Sequence, residues 1–195
     1  MKKKILILVS VFIISCSTYD KDEIKNDQSL YDDNLYKDYE LFDLANQHIE
    51  SGLLDLALIE LDKIEVLYPS SAFAKKSILL TAYINFLKKD YEKTRALAEM
   101  YKNHYPGSKD IVYANYLEAM SYYVVMKKTD YSQRSSEIAL EKFNFILNAY
   151  PNSKYEIDII TKIKLINDNL ASNKLKIAKY YIERKNTNGS LLYLN

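Results

Sequence analysis

ALIELDKIEVLYPSS, residues 57–71, returns in altered form as TRALAEMYKNHYPGS at 94–108 and as ALEKFNFILNAYPNS at 139–153. All three prolines of the chain, Pro69, Pro106 and Pro151, follow a tyrosine and stand two residues before a serine. A proline disfavours helical geometry in the residue before it, so each Tyr-Pro closes a helix. The serine beyond is placed to cap the next one through its hydroxyl, and Ser153 with Glu156 has the spacing of a capping box. Each motif therefore reads as a helix-to-helix corner. With only three glycines and three prolines in 195 residues, little else interrupts the chain, and long helices follow.

The corners lie 37 and 45 residues apart, close to the 34-residue tetratricopeptide period with insertions. Counting back from each proline, Ala57, Thr94 and Ala139 occupy one position, Leu61, Ala98 and Phe143 a second, and Ile64, Tyr101 and Ile146 a third. These resemble the small, large and medium positions of a tetratricopeptide second helix. Ala45, Ala82 and Ala119 mark the first helices. The spacing predicts helices over 36–51, 53–68, 71–88, 90–104, 109–126, 134–149 and 154–185, with an eighth beginning near Asn188. Whether 154–185 is one helix or two stays open, because the polar segment 167–173 holds no proline or glycine. Eight extra residues in the third repeat are assigned to a lengthened turn over 127–135. Gly52 marks the same turn in the first repeat and Asp90-Tyr91 in the second. Such pairs bury their apolar faces only by stacking, so the expected fold is all-α, a short α-solenoid with repeats over 36–70, 71–107, 108–152 and 153–195.

Ahead of the repeats stands MKKKILILVSVFIISCS, residues 1–17. Three lysines, an apolar run from Ile5 to Ile14, and then Ser15 and Cys16 have the layout of a secretory signal peptide over 1–15. The run is too short to span a bilayer, which takes roughly 20 residues. Ile13-Ile14-Ser15-Cys16 resembles the bacterial lipobox, which makes Cys16, the only cysteine, the expected lipidation site. The competing reading is a chance cysteine beside an ordinary cleavage site. Stable anchoring takes more than one acyl chain, as bacterial lipoproteins carry. Ser17, where enteric bacteria use Asp for inner-membrane retention, favours the outer membrane by the same resemblance. Residues 16–35 are acidic and read as a tether, with a partner-binding tail as the alternative.

The net charge is +1, and losing three lysines with the signal peptide leaves −2. No basic footprint for nucleic acid remains. His48 and His104 each stand apart from any ligand-spaced cluster, and His48 reads as a packing residue. Glu60 and Asp62 read as a solvated pair on an exposed helical stretch. No nucleophile with a positioned base, metal cluster or phosphate loop is present in the pattern, so neither an enzyme nor a cofactor is expected.

Binding is the better reading. In a tetratricopeptide stack the first helix of each pair lines a groove. The register set by Ala45, Ala82 and Ala119 places Tyr39, Phe42, Asn46 and Glu50 there, then Lys76, Leu79, Tyr83 and Phe86, then Tyr113, Tyr116, Met120 and Tyr123. Tyrosine offers area, little lost rotamer entropy and a hydroxyl, which suits an extended or helical peptide. The competing reading gives these rings a structural role inside the solenoid.

The lipobox, the acidic tether, the run from Ala57 to Pro69, Tyr150-Pro151-Asn152-Ser153 and IAKYYIER at 177–184 together resemble the BamD (ComL) family, the tetratricopeptide lipoproteins of the β-barrel assembly machine. The resemblance implies a lipid-anchored scaffold on the periplasmic face of the outer membrane. Its later repeats would hold BamA, and its early repeats would receive the C-terminal strand signal of unfolded barrel proteins, which commonly ends in an aromatic residue. On it, Tyr39, Phe42, Tyr83 and Phe86 become substrate-contact candidates and Arg184 the candidate for the BamA side. The chain departs from the family pattern in stopping within a fourth repeat, in carrying Lys185 where the family has glycine, and in a shorter third-repeat loop. An open last repeat would expose Leu191, Leu192 and Leu194. A general tetratricopeptide scaffold for envelope division or peptidoglycan coordination is the alternative.

Overall fold

The computed structural model describes residues 36–128 and 133–194. The expected signal peptide, the expected lipidation site Cys16 and the expected tether lie outside them. Eight helices follow one another: α1 Asp38–Glu50, α2 Leu54–Leu67, α3 Ala72–Leu87, α4 Tyr91–His104, α5 Ile111–Lys128, α6 Gln133–Ala149, α7 Glu156–Glu183 and α8 Thr187–Leu194. Among the described residues there is no strand, and no helix is long and apolar enough to cross a membrane. The fold is all-α, a stack of helix pairs in which each helix packs on the next.

The nine positions counted back from the prolines are all completely buried, as are Ala45, Ala82 and Ala119. The alanines let neighbouring helices approach closely, and the larger partners fill the space between pairs. Three apolar clusters result. One joins α1, α2 and α3 around Leu41, Leu61 and Ile64. A second links Leu79, Tyr101 and Ala114 across α3, α4 and α5. The third joins α5, α6 and α7 around Phe143, Ile146, Ile159 and Ile166. A core divided this way makes stability a chain of nearest-neighbour interfaces.

The corners repeat in detail. The N–H groups of Tyr68, Tyr105 and Tyr150 donate to the carbonyls of Ile64, Tyr101 and Ile146, each at 2.9 Å. Ser71 caps α3 by accepting from the Phe73 N–H at 2.9 Å, and Ser108 accepts from the Asp110 N–H at 3.2 Å. The third corner corrects the expected capping box. Tyr155 is the N-cap of α7, which leaves Ser153 two residues upstream with its Oγ buried and unpartnered. The Glu156 carboxylate instead accepts from the Asn152 N–H at 2.8 Å, with Asn152 at φ +61°.

The third repeat corrects a second expectation. Its helices are 18 and 17 residues long, against 16 and 14 in the second pair, so five of the eight extra residues are helical, while 129–132 of the expected turn lie outside the described residues. The open question about 154–185 is resolved as one continuous helix of 28 residues, α7.

The three described turns within pairs share one device. Gly52, Lys89 and Lys185 have φ of +74°, +67° and +57°. Each donates its N–H three residues back, and the following N–H reaches five residues back, as in Leu53 to His48, Asp90 to Asn85 and Asn186 to Tyr181. These are Schellman ends, which favour glycine at the left-handed position. Replacing Lys89 with Gly is expected to stabilise the chain by about 0.5–1 kcal/mol, read as a higher urea midpoint with unchanged slope.

Candidate peptide-binding face

Beyond sequential neighbours, the substantial contacts among described helices join α1 to α3 and α3 to α5. First helices therefore draw together on one face, and aromatic residues gather there in two groups. At the α1–α3 junction the rings of Phe42 and Phe73 lie 5.2 Å apart. The Lys76 ammonium sits 5.1 Å over Phe73 and 6.0 Å over Phe42. Tyr39 stands exposed nearby on α1, its hydroxyl donating to Glu40 at 3.0 Å. Asn46 is half-buried and turns its amide back on its own helix, donating to the Phe42 carbonyl at 2.9 Å.

The second group joins α5 to the start of α7. Tyr155 stacks on Tyr116 at 4.4 Å and on Tyr113 at 6.1 Å. Tyr116 donates its hydroxyl to Asp158 at 2.5 Å, and Asp158 also pairs with Lys162 one turn on. Burial opposes charge on Asp158, yet the hydrogen bonds from Lys162 and Tyr116 outweigh it and hold the carboxyl below its ordinary range. Burial, then the hydrogen bond to Asp158, pushes the Tyr116 hydroxyl upward; burial beside Tyr155 and Tyr83 does the same to Tyr113. Both phenols are neutral hydrogen-bonding groups at neutral pH.

The remaining sequence candidates divide. Tyr83 is half-buried on α3 near Tyr113, while Phe86 packs edge-on against Tyr91 at 5.6 Å where α3 ends. Leu79 is buried in the second cluster. Tyr123 is 5 % exposed, its ring against Phe143 at 6.2 Å and beneath the Lys162 ammonium at 5.6 Å. That ring serves packing. Phe73 and Tyr155 are missing from the sequence-derived lining, although both stand four residues after a proline. That shared offset was the available signal.

Glu60 also corrects its reading as solvated: it is 8 % exposed, its carboxylate held by the Lys63 ammonium at 3.0 Å. Asp62 is exposed as expected. No group of three or more His, Cys, Asp or Glu suited to a metal occurs among the described residues. Arg184 is exposed, its guanidinium 4.2 Å over the Tyr180 ring. Behind it, α8 seats on α7 through Gly189, whose missing Cβ would meet the Tyr181 ring at 2.6 Å, and Tyr181 stacks on Tyr193 at 5.9 Å. Leu191 and Leu192 are exposed at this end. The Leu194 side chain lies outside those described.

A family model described as YfiO, outer membrane lipoprotein, matches residues 35–189. An outer membrane protein assembly factor BamD from Rickettsia prowazekii (strain Madrid E) is 34% identical over 127 residues, which cover 65% of this chain and 51% of that protein. The protein of the same name from Caulobacter vibrioides is 27% identical over 147 residues, 75% of this chain and 48% of its own length. That from Neisseria gonorrhoeae is 30% identical over 200 residues, covering 93% and 71%. The chain thus spans about half the length of the first two of these relatives.

Proposed function

The chain belongs to the YfiO family of outer membrane lipoproteins, and on that footing we propose that it is a non-catalytic scaffold of the β-barrel assembly machine, receiving unfolded barrel proteins on its first-helix face and holding BamA. The outer membrane is the compartment of the family. The relatives are named as assembly factors rather than for a reaction, in keeping with a binding role.

The observation that carries the proposal is the aromatic face of α1, α3 and α5. Phe42 and Phe73 form an apolar seat beside the Lys76 ammonium, and Tyr83, Tyr116 and Tyr155 continue the surface. Rings fixed by neighbouring helices lose little freedom on binding, so they give affinity to a strand segment whose sequence varies from client to client. Tyr39, Phe42, Asn46, Tyr83, Phe86 and Tyr116 are the proposed contacts, and Tyr123 supports them from the core. Arg184 is proposed for the BamA side, where its guanidinium and the Tyr180 ring offer one cationic and one aromatic contact. Cys16 is the proposed lipid anchor.

Affinity capture of the intact lipoprotein from solubilised outer membranes tests the role. BamA and unfolded barrel proteins are expected to co-purify; recovery of only cell-division or peptidoglycan proteins rejects it. Replacing Cys16 with Ala is expected to abolish acyl labelling and release the protein from membranes, and persistent labelling would contradict the anchor.

A further inference from the structure

On the other side of α5, facing the second helices, lies a cleft of about 460 Å³ lined by α4, α5, α6 and two corners. Its size is within the range of ligand-holding clefts. Ile111, Asn115 and Glu118 line it; at about 100° per residue they lie on the side of α5 away from Tyr113 and Tyr116.

At its base Glu118, 10 % exposed in its side chain, is held between Lys102 of α4 at 2.5 Å and Lys142 of α6 at 2.6 Å. The two ammonium groups engage opposite oxygens of one carboxylate, so their separation is fixed. Each has three N–H donors, and their side chains remain 22 % and 29 % exposed. Together the lysines and Glu118 carry one net positive charge, which Glu141, exposed on α6 and also in the lining, balances. Above the lysines Phe145, 52 % exposed, meets Tyr150 edge-on at 6.2 Å, with Pro106 and Ile111 completing an apolar wall.

We propose that this cleft is a second recognition site, taking an acidic side chain and the apolar one beside it from an extended segment of a partner protein. The carboxylate bridges Lys102 and Lys142, and the apolar group covers Phe145, which otherwise faces water. A small inorganic anion would satisfy the lysines and leave the aromatic wall wet, so the mixed surface favours polypeptide.

Fluorescence anisotropy with the intact chain tests it. The probes are a labelled nonapeptide with Asp-Leu-Phe at the centre of a Gly-Ser sequence, and a match carrying Lys for Asp. The acidic peptide is expected to bind about tenfold or more tightly than the basic one. Phe145→Ala, at an exposed position that leaves the helical spectrum intact, is expected to weaken the acidic peptide by about tenfold. Equal binding of the two peptides, no response to Phe145→Ala, or complete displacement by inorganic phosphate would each overturn the proposal. Phe145 and both lysines lie off the first-helix face, so this result stands apart from the test of the proposed function.

Discussion

Replacing Phe143 with Ala is expected to cost about 3–5 kcal/mol and to unfold the C-terminal half of the stack while the N-terminal half survives. Phe143 is completely buried, with the rings of Tyr116 and Tyr123 at 6.3 and 6.2 Å. It sits in the cluster that joins α5, α6 and α7, and a domain's whole stability is only about 5–15 kcal/mol. In a stack held by nearest-neighbour interfaces the loss stays where the cavity is. The cluster around Leu41, Leu61 and Ile64 shares no residue with the damaged one. Native-state hydrogen exchange is therefore expected to show lost protection over 111–183 with α1 to α3 still protected. Uniform loss across all helices would show a single cooperative core and contradict the segmented one.

Replacing Glu118 with Gln is expected to cost about 2–3 kcal/mol at neutral pH. Removing one member of a buried charge pair costs about 3–5 kcal/mol, and the partial exposure of both lysines reduces that figure. Burial alone would raise the Glu118 pKa, but the hydrogen bonds from Lys102 and Lys142, with their charges, lower it below the ordinary value. A depressed folded-state pKa gives stability that is present above the unfolded value, about 4.3, and lost as pH falls through the folded one. The native chain is thus expected to lose stability below about pH 4.3, whereas the variant starts lower and changes less. Urea midpoints at pH 7 and at pH 3.5 read this directly. An equal gap at both values would remove Glu118 from the account of acid sensitivity.

The helix pairs were legible because proline and tyrosine act locally. A residue before proline leaves the helix wherever the motif occurs, and the buried positions follow at fixed distances along it. Ala57, Thr94 and Ala139 needed only counting. What escaped depends on contacts between elements. Glu60 looks solvated in sequence, but its stem is covered in the stack while its carboxylate turns to Lys63. Ser153 has capping-box spacing, yet the left-handed Asn152 and a helix that starts after Tyr155 move the cap past it. Tyr123 shares the register of Tyr116, but Phe143 from the next helix closes over it. Phe73 and Tyr155 lie at the very starts of their helices, outside the span the repeat register describes, and reach the face because the corner aims them there.

The central claim is that the first-helix face grips polypeptide. Site-specific photo-crosslinking from position 83, with position 93 on α4 as the control, tests it most directly in membranes engaged in barrel assembly. The account predicts crosslinks from position 83 to the C-terminal segments of unfolded barrel proteins, and few or none from position 93. Barrel proteins crosslinked equally from both positions, or from neither, would contradict it.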